Sequence, residues 1–302
     1  MSDDSDKVVE LDNNEQALIV ERKAACPFIG SAVAEGQLPV RNSANDPLAS
    51  IEDVRRLGNT GGGDLGDLLV FFASGNHAFM RGESGKLDKP VPGGLFSLEF
   101  PGSQGSHPGH SGILQGDPKM PDSGRLSEAD FERLTSRAKD GWIKRSDVGR
   151  FIAENLLRDP NSKVFGKKTA ALLANDIFES VETAGSALLD KLFGSDEEAR
   201  ATHREFEEKL TKLGGEDNLV GSAGEFGLLF AFLINKPGAR EVERVEGEPA
   251  VAVEDLKAMF VDKHLPDGWE TWKKSRIDWV RNTTGLVISA GKAYRALKRA
   301  QD

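Results

Sequence analysis

The apolar residues from Leu126 onward recur three and four residues apart, and this period constrains the fold more than any other feature of the chain. Turn-forming pairs interrupt it at Asp159-Pro160, Gly214-Gly215, Pro237-Gly238 and Leu265-Pro266. The segments with helical period span residues 126–136, 146–157, 167–194, 197–213, 222–235, 252–263 and 276–299. The pattern therefore predicts a mostly α fold.

The part of the chain before Leu126 is less regular. Residues 24–36 and 50–57 predict two short helices, and residues 95–100 alternate well enough to predict one strand. Residues 81–124 are rich in Gly, Pro and Ser, which predicts a long irregular loop region. We therefore expect a single compact multi-helix domain with at most a short β-hairpin.

Composition narrows the classes of protein that fit this domain. Residues 1–22 are acidic and polar and predict a disordered leader, so the domain is expected over residues 23–302. The net charge of −10 argues against non-specific nucleic-acid binding, because the phosphate backbone is repelled. The chain has no apolar run long enough for a membrane span and no apolar segment typical of a secretion signal. These features predict an intracellular, cytoplasmic protein.

The only cysteine of the chain, Cys26, is followed directly by Pro27. Proline suits the first turn of a helix, because the N–H that it lacks has no intrahelical partner there. Cys26 is therefore predicted at a helix N-terminus, where the positive end of the helix dipole favours a thiolate. The alternative is an ordinary buried thiol, or a surface thiol without function.

Three groups of residues, taken in order along the chain, form a recognisable pattern. The first is Cys26-Pro27, with Gly36, Leu38-Pro39 and Arg41-Asn42 after it, and Val40 intrudes between Pro39 and Arg41. The second is Gln115-Gly116-Asp117, followed by the helix start at residues 126–131. The third is Gly224-Glu225-Phe226 at the start of an apolar helix, followed by residues 256–269, which end in Leu-Pro-Asp-Gly-Trp.

This pattern resembles the haem-thiolate peroxidase family, which comprises the fungal chloroperoxidase and the unspecific peroxygenases. That family has a Cys-Pro ligand motif, a Gly-x-Leu-Pro-Arg stretch, an acidic Glu-Gly-Asp or Glu-His-Asp motif, and a distal glutamate on a helix. The matches cover about half of the chain. Residues 140–215 have no counterpart and are interpreted as a candidate insertion.

The resemblance implies a haem b cofactor and a role for each matched residue. Cys26 would be the proximal ligand of the iron, and a thiolate there favours cleavage of the O–O bond. Glu225 would be the catalytic acid–base, with a pKa raised by an apolar pocket. Gln115, Gly116 and Asp117 would lie near the haem propionates, where the family holds a divalent cation, usually magnesium.

Two features of this chain depart from that family pattern. Gln115 replaces the family's glutamate, which removes one charge from the candidate magnesium site, and Lys119 could neutralise the propionate instead. No Arg or His partner of Glu225 is identified, and His77, His107 and His110 are the loose candidates. Both departures favour a degenerate haem-binding protein over an active enzyme.

The resemblance also implies the partners of the protein. They would be hydrogen peroxide and a small apolar or aromatic substrate, and four phenylalanines could line the access channel: Phe226, Phe230, Phe232 and Phe260. Aromatic residues at helical spacing more often form simple core. Glu225 has the alternative of an exposed carboxylate at a helix N-terminus.

Three functions therefore stay open from the sequence. The first is a haem-thiolate peroxidase or peroxygenase that uses hydrogen peroxide to oxidise or oxygenate a small organic substrate. The second is a non-catalytic haem-binding protein of the same family. The third is a helical interaction module without haem, in which the basic helix at residues 276–299 binds an acidic partner.

Overall fold

The computed structural model describes residues 7–24, 26–58, 95–98, 126–158 and 218–301. Helices dominate this part of the chain, as the helical period predicts. The helices are α1 (Asn13–Leu18), α2 (Pro27–Ala34), α3 (Ile51–Gly58), α4 (Glu128–Thr135), α5 (Arg145–Arg158), α6 (Asn218–Leu233), α7 (Ala239–Glu246), α8 (Val253–Phe260) and α9 (Arg276–Arg299). A π-helical turn continues α1 over Ile19–Lys23, and a short 3₁₀ helix spans Trp269–Thr271.

The longest helices, α5, α6 and α9, pack against one another and form the centre of the described core. Helix α9 contacts α6 closely at Gly227, where an added Cβ would overlap the Oγ1 of Thr283 and lie 3.0 Å from the Cα of Thr283. One turn earlier, Trp279 Nε1 donates a hydrogen bond of 3.1 Å to the carbonyl oxygen of Gly224. Small residues at the crossing let the two backbones approach, so these two contacts fix how α6 lies along α9.

The strands of the described residues form two small sheets. In the first sheet, β1 (Arg41–Asn42), β2 (Pro47–Ser50) and β3 (Leu95–Ser97) are antiparallel neighbours in that order. In the second sheet, β4 (Trp142–Lys144) pairs with β5 (Ala250–Ala252), and Ile143 lies opposite Val251. The expected limit of one short hairpin is therefore wrong, because strands of two to four residues are too short to show an alternating pattern.

The second sheet joins two helical hairpins that are far apart in the sequence. Strand β4 lies between α4 and α5, and β5 lies between α7 and α8. In α5, Phe151 and Ile152 are fully buried in the core. Residues 140–158, the first part of the candidate insertion, thus contribute buried side chains to the core, while residues 159–215 lie outside the described residues.

Residues 7–22, which fall in the expected disordered leader over 1–22, are ordered, and residues 1–6 lie outside the described residues. Helix α1 begins after Asp12, which accepts hydrogen bonds from Asn14 N (2.8 Å) and Glu15 N (2.9 Å). Glu15 bonds back to the N–H of Asp12, which completes a capping box. Ile19 and Val20 are buried in the core. The order arises because these two apolar side chains and the cap together outweigh the polar composition around them.

Within the described ranges, none of the helices combines the length and the apolar character required to cross a membrane.

Candidate functional site

Cys26 occupies the position that the sequence predicts, directly before the first residue of α2. It is the N-cap of the helix and has an extended backbone with φ −70° and ψ 119°. Pro27 is the first helical residue, and the carbonyl oxygen of Cys26 accepts the hydrogen bond of Gly30 N at 2.8 Å. Proline therefore begins the helix without leaving an unpaired donor, and the thiol lies at the N-terminus of α2.

The sulfur of Cys26 is protonated at neutral pH in this environment. Cys26 is partly buried against the hydrophobic core, and burial is the main cause that raises the pKa of its thiol to about 11. The backbone N–H groups of Ile29 and Phe28 face the sulfur and lower its pKa in part, without forming a capping hydrogen bond. The helix N-terminus was expected to favour a thiolate, but desolvation outweighs it.

Glu225 lies close enough to Cys26 to act on it electrostatically. Its negative charge is a further cause of the raised pKa of the thiol. Glu225 is half-buried on α6, between the buried residues Gly224 and Phe226. Because α6 begins at Asn218, Glu225 lies two turns inside the helix, and its interpretation as an exposed N-terminal carboxylate is wrong. The structure therefore brings together two predicted site residues that are distant in sequence.

The phenylalanines that could line a substrate channel belong to the core. Phe226, Phe230, Phe232 and Phe260 are each at most 6% exposed. Phe232 also packs 4.9 Å from the ring of Phe28, which is the second residue of α2. The structure favours the core interpretation for these side chains. It also shows that aromatic packing begins two residues after the candidate ligand.

Three rings form a cluster next to Cys26, made of Phe28, Phe232 and Trp269, and we refer to it as the aromatic cluster. Trp269 meets Phe28 edge to face, with ring centroids 5.1 Å apart, and lies 6.4 Å from Phe232. The ammonium group of Lys274 lies 4.5 Å from the centroid of Trp269. Nothing in the local sequence distinguishes Lys274 from its exposed neighbour Lys273, so sequence reasoning missed it.

The C-terminal end of α2 contacts the segment that follows α8. His264 Nδ1 forms an ion pair with Glu35 at the C-cap of α2, and Leu265 N donates to the same carboxylate at 3.3 Å. The hydrogen bond with Glu35 is the main cause that raises the pKa of His264. Inside the core, Ser31 Oγ donates to the carbonyl oxygen of Met259 at 3.2 Å. Helix α2 is thus held at its middle and at its C-terminal end.

The candidate propionate residues Gln115, Gly116 and Asp117 lie outside the described residues, as do Lys119 and the three candidate histidines. Among the residues that are described, no three His, Cys, Asp or Glu side chains form a group that could hold a metal ion. A haem iron needs only one protein ligand on its proximal side.

Comparisons of the chain with protein-family models, with curated proteins and with solved structures find no match.

Proposed function

We propose that this chain is a haem-thiolate peroxidase or peroxygenase, with Cys26 as the proximal ligand and Glu225 as the acid–base. The observation that carries the proposal is that Glu225 lies close enough to Cys26 for its charge to raise the pKa of the thiol, although the two residues come from separate motifs of the sequence pattern. A thiol and a half-buried carboxylate near one another, in apolar surroundings, provide the two protein groups that this chemistry requires.

The residues around Cys26 fit a haem ligand. Its sulfur is the one thiol of the chain, it adjoins the apolar core, and two backbone N–H groups face it. Because burial keeps the thiol protonated, Cys26 must release a proton when it binds a positively charged iron. The N–H groups of Phe28 and Ile29 would then stabilise the resulting negative sulfur. Bound haem would supply an iron that binds peroxide and accepts electron density from the sulfur.

Glu225 would move the proton of the peroxide. Its carboxylate would accept the proton from the peroxide oxygen that approaches the iron and return it to the departing oxygen, which leaves as water. A half-buried position on an apolar helix suits this role, because lower solvation favours proton uptake by a carboxylate. The substrate would be a small apolar or aromatic molecule. Gln115, Gly116 and Asp117 remain the candidates near the propionates, with magnesium or Lys119 as the balancing charge.

The test of ligation is the absorption spectrum of the reduced, CO-bound protein after expression with added haem. We expect the red-shifted band of a thiolate ligand in the wild type and its loss in Cys26→Ala. Cys26→Ser is the matched control, because it keeps a small polar group that is not a thiolate. A colourless wild type, or an unchanged spectrum in Cys26→Ala, would refute the proposal.

The test of catalysis is peroxide-dependent oxidation of a dye or a veratryl-type alcohol. Removing a general acid–base costs about 100- to 10,000-fold in rate, so Glu225→Gln should lose turnover while keeping the thiolate spectrum. A wild type that has the thiolate band but no turnover would be the non-catalytic haem-binding protein instead. In that outcome ligation by Cys26 stands and the role of Glu225 does not.

A further inference from the structure

The ammonium group of Lys274 is enclosed by backbone carbonyl groups and aromatic rings. Lys274 is 8% exposed, and its Nζ donates to the carbonyl oxygens of Trp269 (2.5 Å) and Trp272 (3.1 Å). The same Nζ lies 4.5 Å from the centroid of Trp269 and 6.0 Å from that of Phe232. A cation in this position is bound by the negative ring faces and by carbonyl dipoles.

Glu270, an exposed residue, is the acidic group whose charge acts on this ammonium group. Among the described residues, no carboxylate oxygen forms an ion pair with Lys274. Lys236 at the end of α6 lies over the neighbouring Trp272 and is itself paired with Asp255 of α8. Burial therefore lowers the pKa of Lys274 to about 8, and only Glu270 raises it.

A chain of contacts leads from Lys274 to Cys26. Its ammonium group binds both the ring and the carbonyl oxygen of Trp269. Trp269 packs edge to face on Phe28, and the backbone N–H of Phe28 faces the sulfur of Cys26. Helix α2 is held at its C-terminal end by Glu35 and at its middle by Ser31, and Phe28 joins its N-terminal end to the aromatic cluster.

We propose that Lys274 is a positioning residue for Cys26: its positive charge fixes the aromatic cluster and thereby the N-terminus of α2. Without that charge, the carbonyl oxygens of Trp269 and Trp272 lose a cationic donor, and only the hydrogen bond from Trp272 N (3.2 Å) remains on that of Trp269. The ring of Trp269 is then free to turn away from Phe28. The sulfur of Cys26 then becomes more accessible. This inference deepens the proposed function, but its test needs no haem.

The test uses the thiol of Cys26, which is the only cysteine and so reports on this site alone. In haem-free protein at pH 7, the thiolate of Cys26 attacks the disulfide of dithiobis(nitrobenzoate). A mixed disulfide forms, and the coloured nitrothiobenzoate leaves with the electron pair of the broken S–S bond. Loss of one ordinary hydrogen bond should raise the equilibrium constant for exposure of the sulfur about three- to tenfold. We therefore expect Lys274→Met to react about three- to tenfold faster than the wild type.

Two variants control for a merely structural effect. Lys274→Arg keeps the positive charge and should restore a rate close to that of the wild type. Lys273→Met removes the exposed neighbouring lysine and should leave the rate unchanged. Equal rates in the wild type and Lys274→Met, or a fast rate in Lys274→Arg despite a native circular dichroism spectrum, would overturn the inference.

The pH profile of the wild type gives a test that does not depend on any Lys274 variant being folded. A thiol with a pKa of about 11 reacts tenfold faster for each pH unit between pH 7 and 9.5. Loss of the charge of Lys274 near pH 8 should add a further rise there. His264 and Lys263 also have shifted pKa values, so His264→Gln and Lys263→Met should keep the extra rise.

A wild-type profile with a constant slope through pH 8 would overturn the inference. An extra rise that persists in His264→Gln and Lys263→Met would support it, even if the protein binds no haem. A failure of the proposed function and a failure of the coupling between Lys274 and Cys26 are therefore separate results. The other charged groups on the elements around Lys274 are Lys236, which pairs with Asp255 of α8, the exposed Glu270, and Asp278 on α9.

Discussion

Substitution of Cys26 by alanine should change how the stability of the haem-free protein depends on pH. Burial raises the pKa of the thiol from 9.0 to about 11, so the folded protein holds this proton more tightly than the unfolded chain. The thiol therefore contributes stability that is fully present below pH 9 and is lost as the pH rises towards 11. Cys26→Ala has no group to titrate and should not show this loss.

The magnitude follows from the two pKa values. The stability lost through ionisation of the thiol is about 1.4 kcal/mol at pH 10, and it approaches about 3 kcal/mol above pH 11. These are upper values, because Cys26 keeps part of its surface exposed. At pH 7, loss of one partly buried sulfur atom should make the variant less stable by about 1 kcal/mol. The free energies of unfolding of the two proteins should therefore become equal near pH 10.

The measurement is urea unfolding of both proteins at several pH values between 7 and 10.5, followed by circular dichroism and without haem. All other ionisable groups are common to the two proteins, so their contributions cancel in the difference. A difference in the free energy of unfolding that stays constant over this range would refute the reasoning, because it would mean that the sulfur of Cys26 is not desolvated.

Three other predictions concern the fold around the site. Gly227→Ala should lower the free energy of unfolding by about 1–3 kcal/mol, because its Cβ would overlap Thr283. Gly291→Ala should raise the free energy of unfolding by up to about 1 kcal/mol, because Gly291 lies on α9 with open space around it. Chemical denaturation checks both predictions. Asp12→Ala should cost about 1 kcal/mol through loss of the capping box, measured in the same way, and no change would mean that α1 does not need its cap. The pKa of His264 is raised by Glu35, so the pairing of these residues stabilises the fold below about pH 6.5, and this stabilisation is lost as the pH rises through the raised pKa. The difference in Tm between the wild type and Glu35→Gln should therefore shrink from pH 5.5 to 8.5. A difference that grows over this range would contradict the prediction.

The sequence predicted the elements whose signals are local. Helix α9 has the predicted bounds, residues 276–299, because Ser275 caps it and its apolar residues keep one period throughout. Helix α2 and its N-cap Cys26 follow from the Cys-Pro pair. Helix α7 was missed because five of the eight residues of its sequence, AREVERVE, are charged and it buries little beyond Ala239. The pairing of β4 with β5 was also missed, since no local pattern reports a partner so far along the chain.

The candidate site was predicted in part for the same reason. Residue types and motif order pointed to Cys26 and Glu225, and the structure brings them near one another. The direction of the pKa shift of Cys26 was not predictable, because it depends on how much core surrounds the sulfur, and that core comes from distant segments. Lys274 acquires its role only through the rings of Trp269 and Phe232, which meet it in the folded chain.

The contact between α6 and α9 has a consequence for the distance between the two candidate functional groups. The carbonyl oxygen of Gly224 accepts a hydrogen bond from the indole of Trp279, Gly227 packs closely against Thr283, and Glu225 lies between these two glycines. A shift of α6 along its own axis would have to break both contacts at once. The position of the Glu225 carboxylate along the axis of α6 is thus set by the neighbouring helix α9. Larger or smaller side chains at position 283 should therefore change the distance between this carboxylate and the Cys26 thiol, while both reactive residues stay unchanged.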